Sequence, residues 1–456
     1  MLKNGLKYEK AAVIILLVLL LGLLPSPGAF CEGEKKELYT GMPEYLVFHQ
    51  ETAEERLHKN VSSRLTLPVT VNEDVNAELR EKLEEMHQSA LHLLPGKNQT
   101  VFTELDTGAE VWRTGTSWMS FLLITRYSVP ESVEYIDTES RVYDIETGKR
   151  ITLGDVFPEG SPAWEILCAS VRESLSAYWP EEAADAEKLE VLCSEEGLRN
   201  ASFCLTAARL LLTFRADSLY EGKKTLMHVS VYYSKIRDYM TEEAYRQTDN
   251  CRFKKVALTF DDGPAAGYTR DVLNTLRYHG ASGTFFVVGD RMKSYAGLLC
   301  REHDSGCSVQ SHNYKHDYDW KENQLFSWRD RMEKEMSGII GRGPSLIRAP
   351  GGKELAMINR DYGLPFIHWS LVSGDIGDDM HKVETIYKQV KDMVKNGDVV
   401  LMHDLNADCC RYLDKILTNL EGRGFLFCTV EELFADAGIP FEKNKVYYST
   451  YYDYSK

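Results

Sequence analysis

Three features are missing from this sequence, and each absence excludes a class of protein. None of the ten cysteines is spaced Cys-x-x-Cys, so a cysteine-based zinc site or redox motif has little support. Positive charge is not in excess, because 53 Lys+Arg stand against 69 Asp+Glu. We therefore expect no nucleic-acid partner, since such partners usually require a basic face. No apolar run reaches the roughly 20 residues of a bilayer-spanning helix.

The longest apolar run, Ala11–Leu24, follows Lys3, Lys7 and Lys10. A basic start, a short apolar run and small residues after it are typical of a secretory signal. We expect residues 1–31 to be a signal peptide or, as the alternative, an uncleaved signal-anchor. Both alternatives make the rest of the chain extracytoplasmic, either secreted or membrane-anchored at the cell surface.

The first half of the chain shows no regular order of secondary structure. With 456 residues and 43% hydrophobic content, the chain is long enough for two or three packed domains. Between residues 38 and 246 the mixed order predicts an α+β domain. Its clearest elements are a helix at Asn72–Leu91, a strand at Trp118–Tyr127, a hairpin within Val133–Ile151, a helix at Pro162–Leu175, and strands at Phe203–Phe214 and Met227–Tyr233. No His, Asp or Cys cluster has ligand spacing here, which favours a structural or binding role.

From Phe253 onward, strand and helix patterns alternate regularly. The predicted strands are Lys255–Phe260, Gly283–Val288, Cys307–Ser311, Ser345–Arg348, Phe366–Val372, Val399–His403 and Leu426–Thr429, with helices between them. This alternation predicts an α/β fold, a compact (β/α) barrel of seven or eight parallel strands. In such barrels the chemistry lies at the carboxyl ends of the strands.

The first of these strands runs into a pair of carboxylates, Asp261 and Asp262, within Thr259-Phe-Asp-Asp-Gly-Pro264. Consecutive side chains point to opposite faces of a regular strand, so both reach one site only where the strand ends. Gly-Pro supplies the turn that this requires. On its own, the same tetrapeptide is also a common loop.

The third strand runs into two histidines, His312 and His316. Residues at i and i+4 share one face of a helical turn. Two imidazoles and a carboxylate form a three-ligand site that leaves a position open for water, as hydrolytic zinc requires. An isolated pair at this spacing is more often incidental, and we interpret His303 and His381 as surface residues.

Three later strand ends also carry polar motifs: Ile347-Arg-Ala-Pro-Gly-Gly352, Trp369-Ser-Leu-Val-Ser-Gly-Asp375 and Leu401-Met-His-Asp404. The arginine can hold a carboxylate bidentately, and the Pro-Gly-Gly turn exposes N–H groups to an oxyanion. Each motif alone has an ordinary loop as its alternative. Five motifs in this order, each at a strand end, indicate one catalytic site.

At residues 252–437 the chain resembles the polysaccharide deacetylase family, the NodB-homology enzymes of carbohydrate esterase family 4, through TFDDGP, HNYKH, RAPGG, WSLVSGD and LMHD. The resemblance implies a metal-dependent hydrolase that removes N-acetyl groups from the amino sugars of a polysaccharide, first of all peptidoglycan. It also implies one divalent metal ion, zinc with cobalt as the alternative, held by Asp262, His312 and His316.

The same resemblance implies catalytic roles for four further residues. Asp261 would be the general base, and Arg348 would pair with it and keep it ionised and oriented. His403 would protonate the departing amine. Asp375 would orient either His403 or Arg348.

Substrate contacts are implied for three residues and are changed at two others. The backbone N–H of Gly351 would meet the oxyanion, where the family often has an aromatic residue. Trp369 and Leu401 would wall the acetyl pocket. Val372 and Ile376 stand where the family often has aspartate and tryptophan, so we expect a different substrate fit rather than a different reaction.

A weaker resemblance covers the first half of the chain. Arg141–Phe157 and Phe203–Tyr239 are similar to the extracytoplasmic domain of some anti-sigma factors and peptidoglycan deacetylases, the DUF3298 type with a DUF4163-like segment before it. We expect this domain to span residues 38–246. Residues 438–456 form a Tyr-rich tail that either stacks on sugar rings or packs back on the barrel.

Three functions therefore remain open at this point. The first is N-deacetylation of peptidoglycan, and the second is the same chemistry on chitooligosaccharide or O-acetyl xylan. The third is a non-catalytic protein that binds or senses glycan. The presence of all the expected catalytic residues favours the first two, and the expected secretion favours peptidoglycan.

Overall fold

The computed structural model describes residues 37–95, 100–318, 321–377 and 382–454. The expected signal segment at residues 1–31 and His381 lie outside the described residues. Within the described ranges, no helix is both long enough and apolar enough to cross a membrane.

Long strands build the first half into a six-stranded sheet with the order β1 to β6. They are β1 (Phe48–His58), β2 (Val61–Thr70), β3 (Thr103–Arg113), β4 (Trp118–Val129), β5 (Ser132–Asp144) and β6 (Arg150–Ile151). Neighbours are antiparallel except β2 and β3, which are parallel. The helix α1 (Glu73–Leu91) makes that parallel connection, as a crossover must. Asn72 caps it by accepting the N–H groups of Asp74 and Val75.

A second, antiparallel sheet contains β7 (Phe203–Leu205), β8 (Arg209–Arg215) and β9 (Leu226–Tyr232). Short helices surround it: α2 (Leu153–Val156), α3 (Ala163–Ser176), α4 (Ala186–Leu192), α5 (Glu195–Arg199), α6 (Tyr233–Ile236) and α7 (Glu242–Thr248). The expected continuous strand at Phe203–Phe214 is a hairpin, because the N–H of Thr206 donates to the carbonyl of Arg209 and turns the chain.

Parallel strands form the second half: β10 (Lys254–Asp261), β11 (Thr284–Val287), β12 (Ser308–Ser311), β13 (Phe366–Ile367), β14 (Leu371–Val372), β15 (Asp398–His403), β16 (Phe425–Cys428) and β17 (Val446–Tyr447). The helices around them are α8 (Tyr268–His279), α9 (Gly289–Met292), α10 (Ala296–Asp304), α11 (Glu322–Ile340), α12 (Glu354–Ile358), α13 (Val383–Met393), α14 (Cys409–Glu421) and α15 (Val430–Asp436).

The parallel strands close into a compact (β/α) barrel. β10 pairs with β11, β15 and β16, and β11 pairs with β12. Single bridges from Ser311 to Ile347 and from Ile347 to Phe366 join β12 to β13. β14 then pairs with β15 and completes the ring. The predicted α/β barrel is confirmed, with seven strand positions if Ile347 counts as one and β13–β14 as another.

Two predicted barrel strands are wrong in detail. Ser345–Arg348 contributes only the bridge at Ile347, because the Gln310 side chain accepts the N–H groups of Ser345 and Leu346 in place of a ladder. The expected strand Phe366–Val372 divides into β13, which pairs with β17, and β14, which pairs with β15. At the end of β13 the carbonyls of Ile367 and His368 accept hydrogen bonds from Arg348.

The six-stranded sheet packs on the barrel through buried ion pairs, which we call the junction cluster. Arg277 of α8 lies 2.9 Å from Asp106 and 2.8 Å from Glu110 of β3, and Arg301 of α10 lies 3.3 Å from Asp106. These side chains are all less than a tenth exposed. The two halves of the chain therefore share one interior, and residues 38–456 form a single compact unit.

Candidate active site

The chain leaves β10 in a sharp turn that brings both of its terminal carboxylates to one place. Asp261 is the last residue of β10, and Asp262 takes a left-handed backbone with φ of 76°. Gly263 then passes so close to Asp404 that a Cβ would lie 2.6 Å from its carboxylate oxygen. Asp404 in turn accepts a hydrogen bond from Thr269 and so secures the turn.

The two histidines lie in an irregular loop after β12, so the predicted helical turn is wrong. Asn313, with φ of 66°, turns the chain out of the helical region directly after His312. The imidazoles are nevertheless neighbours, with ring centroids 5.1 Å apart. Nδ1 of His312 lies 2.9 Å from the carbonyl of Arg348. A proton on Nδ1 leaves the Nε2 lone pair free to act as a ligand.

Three side chains converge in the way that a metal ion requires. The ligand atoms of Asp262, His312 and His316 all lie within 4.8 Å of one another. Although the two Nε2 atoms are 3.3 and 3.2 Å from Asp262 Oδ1, this buried oxygen has no hydrogen-bond partner among the residues that the structure describes. A buried acceptor without a donor is costly, and two imidazoles with a carboxylate suit zinc. The residues present therefore fit a divalent ion.

The pKa shifts of Asp262 and His316 agree with this arrangement. Burial lowers the pKa of His316, which favours the neutral ring that binds metal. Burial would raise the pKa of Asp262, but the neighbouring imidazoles of His312, His316 and His403 outweigh it and hold the pKa at about 2. The carboxylate is thus ionised at neutral pH.

Arg348 holds Asp261 from beneath the site. Its Nη1 lies 2.7 Å from Asp261 Oδ1 and also donates to the hydroxyl of Thr259. The other two guanidinium nitrogens, Nε and Nη2, donate to the carbonyls of Ile367 and His368. Arg348 is fully buried and its position is fixed by all four contacts. None of its donors contacts Asp375. In the structure Asp375 contacts His403 instead.

His403, the last residue of β15, is held by Asp375. The Asp375 carboxylate accepts the backbone N–H of His403 at 2.7 Å and lies 2.9 Å from its Nδ1. Tyr412 donates its hydroxyl to the same carboxylate at 2.8 Å. Burial would lower the pKa of His403, but Asp375, with the further charges of Asp261 and Asp262, raises it to about 9. The ring is therefore a protonated donor at neutral pH.

The three predicted substrate contacts lie close to these groups. Trp369 has its ring centre 5.8 Å from the guanidinium carbon of Arg348. Leu401 is buried on β15 beside β14. Gly351 takes φ of 63°, and a Cβ on it would lie 2.6 Å from the ring of Tyr318. The Tyr318 ring thus leaves no room for a side chain at position 351.

The sequence analysis missed two residues of this site, and it placed one histidine outside the site wrongly on the surface. Tyr412 and Tyr318 lie outside the five motifs, and only their burial or their contacts identify them. His303 is buried and not on the surface, because its ring packs against His228 and Tyr178 of the first half. A polar helix pattern cannot reveal a partner from a distant part of the chain.

The chain is similar to several known proteins. The family model described as "Polysaccharide deacetylase" matches residues 248–365. The peptidoglycan-N-acetylglucosamine deacetylase PgdA of Listeria monocytogenes is 28% identical over 300 residues, which cover 65% of this chain and 64% of the relative. The chain thus spans slightly less than two thirds of the length of that relative.

Two further similarities each cover less than half of this chain. A peptidoglycan-N-acetylglucosamine deacetylase of Bacillus cereus is 33% identical over 192 residues, which cover 40% of this chain and 88% of the relative. The solved structure of a family 4 acetyl xylan esterase from Clostridium thermocellum, in complex with a cobalt ion, is 28% identical with a TM-score of 0.41. It covers 44% of this chain and 100% of that chain.

Proposed function

Because this chain belongs to the polysaccharide deacetylase family, we propose that it is a metal-dependent hydrolase that removes N-acetyl groups from the amino sugars of peptidoglycan. The observation that carries the proposal is the convergence of Asp262, His312 and His316 next to two buried acid–base pairs. Those pairs are Asp261–Arg348 and Asp375–His403.

Asp262, His312 and His316 would hold one divalent ion, zinc first and cobalt as the alternative. Such an ion supplies Lewis acidity toward the acetamide carbonyl and lowers the pKa of water. Asp262 brings a negative charge, and His312 is aligned by its hydrogen bond to the Arg348 carbonyl. The side chain of His316 is partly exposed, at 33%.

Asp261 takes the proton from the attacking water. Its Oδ1 is engaged by Arg348 at 2.7 Å, while Oδ2 lies 3.8 Å from His312 Nε2 and so faces the metal ligands. Arg348 prevents rotation of the carboxylate and balances its buried charge. A carboxylate held in this way keeps its second oxygen directed toward the metal ligands, where the attacking water would lie.

His403 delivers a proton to the departing amine. Asp375 accepts at Nδ1, so the second ring nitrogen carries the proton that is transferred. The Gly351 N–H meets the oxyanion of the tetrahedral intermediate, and Trp369 and Leu401 wall the acetyl group. The Asp261–Arg348 pair thus accepts a proton, and the Asp375–His403 pair donates one.

Peptidoglycan is favoured as the substrate by the longest similarity. The 300 aligned residues of the Listeria relative exceed the length of the barrel, so they include part of the first half of the chain. We propose that residues 38–246 form an extracytoplasmic domain of the DUF3298 type that serves wall-bound deacetylases, and that residues 252–437 carry the catalysis. Residues 1–31 would direct the chain outward as a signal or an anchor.

Acetate release by the purified full chain tests this proposal. Peptidoglycan, chitooligosaccharide and acetylated xylan are compared with added zinc, with added cobalt and with a chelator. We expect metal-dependent release from peptidoglycan. The Asp262→Ala variant should lose both bound metal and activity, whereas the matched variant Asp238→Ala, at an exposed position of the first half, should lose neither.

The alternatives give distinct results in the same assay. Release from acetylated xylan alone would keep the chemistry and overturn the wall substrate. Glycan binding by a metal-loaded protein that releases no acetate from any substrate would overturn the enzyme and favour a glycan-binding protein.

A further inference from the structure

Four aromatic rings form a continuous row from the active site to the carboxyl-terminal tail, and we call this row the aromatic ribbon. Trp369 stacks on His368 with ring centroids 3.8 Å apart and planes 18° from parallel. His368 lies 5.0 Å from Tyr448, and Tyr448 lies 5.0 Å from Tyr452. The outermost ring, Tyr452, is 52% exposed.

The inner end of the ribbon, Trp369, lies beside Arg348 of the proposed active site. Trp369 lies over the guanidinium of Arg348, which binds Asp261. A Cβ on Gly352 would lie 3.1 Å from His368 and 3.3 Å from Trp369, so both rings pack against the Pro-Gly-Gly turn. The ribbon is therefore continuous with the site where the acetyl group is proposed to react.

The tail is held in place by its own hydrogen bonds and does not merely lie on the surface. β17 pairs with β13, and the N–H of His368 donates to the carbonyl of Tyr447 at 2.8 Å. The Tyr454 hydroxyl accepts the N–H groups of Tyr448 and Ser449 and donates to the Ser449 carbonyl. Tyr448 and Tyr452 are thus presented by a fixed turn.

We propose that the aromatic ribbon binds the sugar residues that flank the reacting one, so that Tyr448 and Tyr452 form an additional glycan subsite. The proposal rests on the proposed function, because it adds a subsite to the same reaction. The axial C–H groups of a β-linked pyranose form an apolar face, which packs on the negative face of an aromatic ring. A row of rings that begins at the catalytic arginine matches an extended chain of such sugars.

The kind of ligand is inferred from the unbroken row of rings and from the charged groups beside it. A ligand that reaches Tyr452 from Trp369 must run along the ribbon, so it is a chain rather than a compact molecule. No lysine or arginine ring contact involves Trp369, His368, Tyr448 or Tyr452 other than that of the buried Arg348, among the residues that the structure describes. Neutral sugar faces therefore suit the ribbon better than an anionic polymer does.

Glycan binding by the full chain, measured by calorimetry with the catalytic base replaced by Asp261→Asn, tests the ribbon without turnover. The probes are peptidoglycan glycan strands of two and of six or more sugars. We expect Tyr452→Ala to weaken binding of the long strand about 3- to 10-fold, as for the loss of one aromatic contact. The loss should be smaller for the disaccharide.

Two further variants separate stacking from damage to the fold. Tyr452→Trp keeps an aromatic face and should restore binding of the long strand to within about twofold of the parent protein. The matched control Tyr278→Ala removes a ring that is 46% exposed near the end of α8, and it should leave binding unchanged. Equal binding by Tyr452→Ala, or an equal loss in Tyr278→Ala, would overturn the ribbon.

The same variants distinguish this inference from the proposed function. In the otherwise wild-type chain, Tyr452→Ala should raise the KM for long strands about 3- to 10-fold at nearly constant kcat. Acetate release that ignores Tyr452 would overturn the ribbon and leave the deacetylase intact. Strand binding that depends on Tyr452, in a chain that never releases acetate, would keep the ribbon and overturn the deacetylase.

Discussion

The active site and the junction cluster both bury charged side chains, yet they leave different atoms without partners. In the junction cluster, each carboxylate has a guanidinium within 4 Å, as in the pairs of Arg277 with Asp106 and Glu110. In the active site, the carboxylate of Asp262 has no lysine or arginine partner among the described residues and faces two imidazoles. One cluster balances its charge internally, and the other directs a carboxylate oxygen toward two imidazole nitrogens.

The comparison shows that buried charge alone does not identify a functional site. The junction cluster fixes the six-stranded sheet against the barrel, and its ion pairs would be costly to break singly. The active site instead directs unpaired acceptor atoms to one point, which creates an affinity for a positive ion. A binding site therefore differs from a structural ion-pair cluster in where its unpaired atoms point, and not in how deeply they are buried.

The largest effect should come from removing the base while keeping the metal ligands. We expect Asp261→Asn to lower kcat about 10²- to 10⁴-fold, because an amide takes no proton from water. Metal content, measured by mass spectrometry, should stay at that of the parent protein, since Asp261 is not among the three converging ligands. Full activity in this variant would show that another group is the base.

The corresponding change in the junction cluster should affect stability rather than catalysis. Asp106→Ala leaves Arg277 and Arg301 buried without their shared carboxylate, which should cost about 3–5 kcal/mol in the free energy of unfolding. Urea titration measures this, with the exposed Glu55→Ala as control. A cost no larger than that of the control would mean that the cluster does not hold the two halves together.

Asp375→Asn should act on the proton donor and leave the metal ligands intact. Asp375 raises the pKa of His403 to about 9, and activity falls as pH rises through that value because the ring loses its proton. Without the carboxylate charge, the alkaline limb of kcat/KM should move toward the usual histidine pKa near 6.5. We also expect a loss of about 10- to 100-fold at the optimum. An alkaline limb that stays in place would remove His403 as the donor.

The smallest effect concerns His228 of β9, which packs against His303 of α10. Burial, with His303 beside it, lowers the pKa of His228 to about 3, so the folded protein keeps this ring neutral. Below pH 6.5 the unfolded chain binds a proton that the folded chain refuses, and stability falls by up to about 1.4 kcal/mol per pH unit. His228→Gln should lessen the decline in unfolding free energy between pH 7 and 5. The exposed His92→Gln should leave it unchanged.

The barrel could be predicted closely because its signals are local. Each strand is a short apolar run, and each polar motif follows a strand end, so the position of Asp261 or His403 depends only on neighbouring residues. The helix expected between the first two barrel strands is α8 (Tyr268–His279). Gly280, in the left-handed region, ends that helix as the sequence would suggest.

Other features depend on distant partners and could not be predicted. β3 is fully buried although it contains Glu104, Asp106 and Glu110, because guanidinium groups from the barrel helices neutralise them. A charged segment of this kind looks like surface in the sequence. Tyr318 and Tyr412 belong to no motif, and their positions depend on how a loop and the helix α14 pack on the barrel.

The pairing of β17 with β13 has a consequence for when the protein can act. β17 is formed by residues 446–447, so a segment far along the sequence completes the surface beside Arg348, and the outer rings of the aromatic ribbon follow it. If the chain crosses the membrane unfolded and amino terminus first, as a secretory signal would direct, the ribbon forms only after residues 446–452 have crossed. Tight binding of long glycan strands would then begin only after export.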